Sequence, residues 1–241
     1  MIAPDSPLCR IPLAVDAKQA IFFDAIRHAV EIADFAHSRL KFTLGGFAEM
    51  PASVEGNPEF ARALTSALLD AWTVVDAVHR FVGLKRNCPG MEAVTGETPA
   101  QKDLYYRCGK LRNLTDHLHG TIPQLVARKS AAMGVLRWHT RTADGLPLVC
   151  LLMPGTSDVT TEGIDFAEAA AWGDPLGPIS LQCGQWQVYL EDLVTAVEAD
   201  VRAMEGGLLE PYAAVDPSIR PGDKFARITT RLTQAAGDHH R

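Results

Sequence analysis

Most of the signals that announce a function outright are missing from this chain. No apolar run approaches the ~20 residues that a membrane helix needs. The longest nearly apolar stretch is residues 146–153, so no membrane partner is expected. Cysteine is sparse and unpaired in pattern: Cys9, Cys88, Cys108, Cys150 and Cys183 are odd in number, and no two form a C-x-x-C pair. That spacing excludes a zinc knuckle and argues against a disulfide framework, and it fits reduced thiols in the cytoplasm. The first residues, with Pro4, Asp5, Pro7 and Pro12, have no basic segment followed by an apolar one, so no signal peptide is expected. Walker loop, G-x-S-x-G turn and dinucleotide fingerprint are all absent, as are internal repeats and low-complexity tracts. Basic charge is also short overall. The net charge of −6 argues against indiscriminate nucleic-acid binding, whose affinity comes mostly from neutralising phosphates.

What is present is enough apolar residue, 47% of 241, to bury a core without disulfides or metals. Its spacing is mostly helical. Asp16 is placed as an N-cap with Gln19 three residues on, and Phe22, Ala25, Ile26, Ala29, Ala33, Ala36 and Leu40 follow at helical intervals to a stop at Gly45-Gly46. Asn57, Pro58 and Glu59 open a second helix with a stripe through Leu64, Leu68, Ala71, Val75, Val78 and Val82. Thr98-Pro99-Ala100-Gln101 is a capping box ahead of Leu104, Cys108, Leu111, Thr115, Leu118 and Ile122, with Pro123 kinking or ending that helix and an extension to about Met133.

The period then changes to two. Leu136, Trp138 and Thr140 alternate with Arg137, His139 and Arg141, the turn Asp144-Gly145 follows, and residues 146–153 supply a partner strand. A loop with one helical turn near Phe166 to Trp172, and a second hairpin around Cys183-Gly184, complete the insert. Leu190, Leu193, Val194, Val197, Val201 and Met204 carry a last helix to Gly206-Gly207, and Phe225, Ile228 and Leu232 suggest one short helix in the tail. The expected fold is mostly α (α+β), a single domain over 1–241. Its plan is an up-and-down four-helix bundle with helices at about 16–44, 57–86, 98–133 and 190–206, a small antiparallel β insert at about 134–189, and a tail at 208–241.

Chemistry concentrates on the third helix. Between Gln101 and Arg141 stand eight basic residues (Lys102, Arg107, Lys110, Arg112, Arg128, Lys129, Arg137, Arg141) against two acidic ones (Asp103, Asp116), a local +6 on a chain of −6. Such asymmetry suits a phosphate-bearing partner. Within it lies Arg112-Asn113-Leu114-Thr115-Asp116-His117. This segment resembles the R-N-x-x-x-H signature of the HEPN superfamily, small helical bundles that include metal-independent endoribonucleases of toxin and antiviral-defence type. The stretch Leu68 to Arg80 likewise looks like the second helix of such proteins. The resemblance implies that Arg112 stabilises phosphate charge, Asn113 orients the site and His117 moves protons as a ribose 2′-hydroxyl attacks. It implies no metal and no cofactor. It also implies a homodimer, RNA as substrate and, for a toxin, an antitoxin protein as partner. Lys110, Arg107 and Arg128 are the candidate RNA contacts, and Asp76, His79 and Asp116 the supporting groups.

Helix geometry bears on this directly. Five residues place Arg112 and His117 about 140° apart with ~7.5 Å of rise, so one regular helix does not bring both to one phosphate, whereas two copies facing across a two-fold axis do. The plainer readings stay open: Arg112 with Asp116 as an i, i+4 ion pair, His117 as a satisfied boundary histidine, and Asp76 with Arg80 as a surface pair. His117 and His119 point ~200° apart, which excludes shared metal coordination. Trp138 is expected in the core. The alternatives to a nuclease are a non-catalytic helical binding or scaffold module and, more remotely, a small-molecule enzyme with a pocket around Trp138, Trp172 and Trp186.

Overall fold

The computed structural model describes residues 2–47, 50, 57–91, 96–142, 144–155, 176–215 and 218–225. Among them lie the helices α1 (Ala17–Phe47), α2 (Pro58–Asn87), α3 (Pro99–Asp116), α4 (Leu118–Ala127) and α5 (Leu190–Ala213), and the strands β1 (Val135–Arg141), β2 (Pro147–Leu152), β3 (Ser180–Cys183) and β4 (Trp186–Tyr189). The protein is mostly helical with one small antiparallel sheet, in the order β2-β1-β3-β4.

The helix starts follow from their caps. Asp16 Oδ1 accepts from the amides of Lys18 and Gln19 at 2.9 and 3.2 Å. Gln19 does not fold back on that cap; its Nε2 donates to Pro89 O at 2.8 Å, fastening the start of α1 to the turn after α2. Asn57 Oδ1 accepts from Glu59 N at 2.8 Å ahead of Pro58. Thr98 and Gln101 complete both arms of a capping box. Together these satisfy amides that a helix start leaves without partners.

α1 and α2 pack along most of their length. Buried alanines on both (Ala29, Ala33, Ala36; Ala67, Ala71, Ala77) keep the contact surface shallow, and Phe23, Ile26, Leu40, Val74, Val78 and Phe81 fill the space toward the other elements. α3 lies against α2 and also meets β3, β4 and α5. The sheet brings Leu136, Leu181 and Val188 into the same core, through the register Leu136↔Leu181 and Leu181↔Val188.

A buried set of charges joins the elements. Lys85 of α2, 1% exposed, places Nζ 2.6 Å from Asp200 of α5 and 3.2 Å from Glu97, just before α3. Tyr105 donates its hydroxyl to Asp200 at 2.7 Å, and Arg86 holds Glu97 through two bonds at 3.0 and 2.7 Å. Two cations meet two carboxylates, so no charge of this set is left unpaired.

Several expectations need correction. The third helix does not run to about Met133: it ends at Asp116, and α4 restarts at Leu118 after His117 adopts φ −113°, ψ 31°. Gly120 and Pro123 weaken the backbone ladder there. Thr121 Oγ1 caps the interruption by donating to the carbonyls of Leu118 and Leu114 at 3.0 and 3.4 Å. The last helix passes through Gly206-Gly207 to Ala213, because buried Met204 and Leu208 on either side hold it against the core. α1 likewise passes Gly45-Gly46 to Phe47, whose ring meets Trp138 and Phe60. The two expected hairpins are joined through β1–β3 pairing into one sheet. His139, expected on the exposed face, is buried, because the chain at Leu176 and Gly177 pairs alongside that end of β1. The helical turn expected near Phe166 to Trp172 lies outside the described residues. So does most of the tail helix, whose Phe225 is exposed.

Candidate functional site

The motif residues divide between two faces of α3. Arg112 turns toward α2. Its guanidinium pairs with Asp116 one turn on, and its Nε stands 3.5 Å from Asp76 of α2. Asp76 in turn pairs with Arg80 at 2.7 Å. Asp76, Arg80, Arg112 and Asp116 thus form a neutral cluster in which all four side chains are at least one-third exposed. The plainer expectations for Arg112–Asp116 and Asp76–Arg80 are both met, and the cluster joins them into one group. Water screens such pairs, and each holds on the order of 0–1 kcal/mol.

His79 adjoins this cluster. Its ring lies over Gly109 of α3, where an added Cβ would stand in ordinary contact, 3.5 Å from Nδ1. Burial, with the Arg112 charge second, holds the His79 imidazole below its ordinary value and favours the neutral ring. Beside Asp76 and Arg80 a groove of about 240 Å³ opens between α1 and α2, lined by Ile32, Leu69 and Trp72 among others.

Asn113 and His117 lie on the other side. Both are exposed, and neither side chain makes a hydrogen bond or ion pair among the described residues. The satisfied boundary histidine is therefore not what stands at His117. No direct contact joins Arg112 to His117 among the described residues, as the 140° separation requires.

The candidate RNA contacts cluster near β4. Lys110 Nζ sits 5.0 Å above the Tyr106 ring, and Tyr106 meets Trp186 edge to face at 5.7 Å between centroids. Arg107 pairs with Asp103 at 2.9 Å and donates to Gln187 O at 3.4 Å, fastening β4 to α3. Arg128 donates to Gln185 Oε1 at 2.7 Å. Tyr106 was not legible as a site residue, and Trp186 was legible only as the lining of a tryptophan pocket, because the contact between the two spans α3 and β4. The available signal was spacing: Lys102, Tyr106, Lys110, Asn113 and His117 follow steps of four, four, three and four. Trp138 is a core residue, 1% exposed, and Trp172 lies outside the described residues, so no tryptophan pocket is assembled among the described ones.

No protein-family model, no curated protein and no solved structure matches the chain.

Proposed function

We propose that this protein acts on RNA as an HEPN-like, metal-independent endoribonuclease whose site forms between two copies of the chain. The observation that carries the reading is the division of the motif. Arg112 rests in exposed, weakly held ion pairs, while the His117 side chain is exposed, with no hydrogen bond or ion pair among the described residues, at the break after α3.

In the reaction, the ribose O2′ attacks phosphorus as a base takes its proton. The P–O5′ bond breaks as O5′ receives a proton, leaving a 2′,3′-cyclic phosphate and a 5′-hydroxyl. A histidine serves either transfer near neutral pH. A guanidinium matches the phosphate oxygens, and its charge-assisted bonds to them outweigh exposed pairs to Asp76 and Asp116. Since one α3 holds the two groups ~140° apart, the Arg112 of one copy serves with the His117 of the other. Apolar side chains left exposed on the first two helices support pairing of copies: Ile21, Phe35 and Phe42 at multiples of seven along α1, and Leu69 on α2, are 60–87% exposed.

The test is cleavage of single-stranded RNA in EDTA by wild type, Arg112→Ala and His117→Ala, with the mass in solution measured in parallel. Both variants are expected to be inactive as homodimers. Co-expressed, they regain roughly a quarter of wild-type activity, because each mixed dimer keeps one intact site. A second reading, a non-catalytic helical binding module, is favoured by the two carboxylates already holding Arg112. No cleavage by wild type, or equal cleavage by all three proteins, would establish it instead.

A further inference from the structure

We infer that one exposed face of α3, with Trp186 beside it, is a track for single-stranded RNA. The choice of RNA rests on the proposed function; the track itself rests on separate observations. Lys102, Tyr106, Lys110, Asn113 and His117 lie on one side of α3, and from Tyr106 to His117 the helix rises about 16 Å. Tyr106 is 54% exposed, far more than a ring needed for packing.

The Tyr106 and Trp186 rings stand at 83° to one another and form a corner. A ring in such a corner offers its free surface to a flat partner, and an unpaired base stacks there, whereas a base inside a duplex cannot reach it. Lys110, above the Tyr106 ring, sets a cation where the adjoining phosphate would lie. Arg128 flanks the other side through Gln185, the residue preceding Trp186. The two acids of this helix do not oppose an anion on the track: Asp103 is paired with Arg107, and Asp116 with Arg112 on the far side. The track ends at His117, so a strand stacked on Tyr106 leads its backbone toward the proton-transfer group.

The experiment is fluorescence anisotropy of a labelled twelve-nucleotide single-stranded RNA. The titrants are wild type, Tyr106→Ala, Tyr106→Phe, Trp186→Ala and Lys110→Glu, with thermal unfolding recorded for each. Tyr106→Ala is expected to weaken binding roughly 5- to 100-fold, the loss of one stacked base, while Tyr106→Phe binds as wild type does. Lys110→Glu weakens binding and flattens its dependence on salt. The same oligomer annealed into a duplex binds more weakly than the single strand.

Equal binding by wild type and Tyr106→Ala, or preference for the duplex, would overturn the track. Repeating the titration with His117→Ala separates the two proposals. Stacking-dependent binding without cleavage by wild type retires the nuclease and keeps the track. Cleavage with Tyr106-independent binding does the reverse.

Discussion

A buried lysine is costly unless its charge is met, and Lys85 shows how closely that condition is fulfilled. Its ammonium faces Asp200 and Glu97; Tyr105 shares the same Asp200 oxygen, Gln101 donates to the other, and Arg86 holds Glu97. Removing only the cation strands a carboxylate in the interior. Lys85→Met is therefore expected to lose about 3–5 kcal/mol in urea unfolding. Adding Asp200→Asn returns part of that loss, because the amide oxygen still accepts from Tyr105 and no unpaired charge remains. Equal stability of the single and double variants would show that the charges are not the source. Nothing in the sequence marked this group. Lys85, Glu97 and Asp200 fall in three separate segments, and no periodicity links charges that meet only after the helices pack.

At the scale of elements, what was legible depended on range. Asp16, Asn57 and Thr98 were placed as caps because a cap is decided within four residues. Thr98→Ala is expected to destabilise by about 1 kcal/mol, as a melting-temperature decrease, since α3 loses its capping box. An unchanged melting temperature would mean that packing alone positions α3. The break at His117 was not legible. Pro123 marked a weak point, but the interruption falls six residues earlier, near where the Thr121 hydroxyl donates to the carbonyls of Leu118 and Leu114. The hydrophobic stripe beyond it, through Leu118 and Ile122, suggested one continuous helix, yet Ile122 is 41% exposed. The motif shows the same division. Arg112–Asp116 is an i, i+4 pair that spacing alone predicts, whereas the tie from Arg112 to Asp76 needs two helices in place. Glycines near helix ends misled for a related reason: Gly206-Gly207 sits between two buried anchors, and the core overrides local preference.

At the scale of the whole molecule, two segments remote in sequence are laced together. Leu13 N donates to Ser218 O and Arg220 N to Ile11 O, each at 2.8 Å, and Arg220 reaches Val15 O at 2.5 Å. Asp223 completes the lacing through a 2.7 Å pair with Arg27. That pairing holds the Asp223 carboxyl below the usual carboxylate range, so its contribution is present above that range and fades as pH falls through the lowered value. Asp223→Ala is expected to speed hydrogen exchange at the Leu13 and Arg220 amides while leaving amides of α1 and α2 slow. Acidification of the wild type lowers the protection of the same amides relative to their intrinsic exchange rate at that pH. Uniform acceleration across all amides would show that the lacing is inseparable from the core.

The same lacing orders events in time as the chain is made. Residues 11–15 leave the ribosome before their hydrogen-bonding partners, which follow about 205 residues later. At ordinary elongation rates that is a wait of roughly 10–40 s. During that interval the early segment has no strand to join, and the face of α1 around Arg27 stays uncovered. A nascent chain thus keeps one seam open until residues 218–223 have emerged.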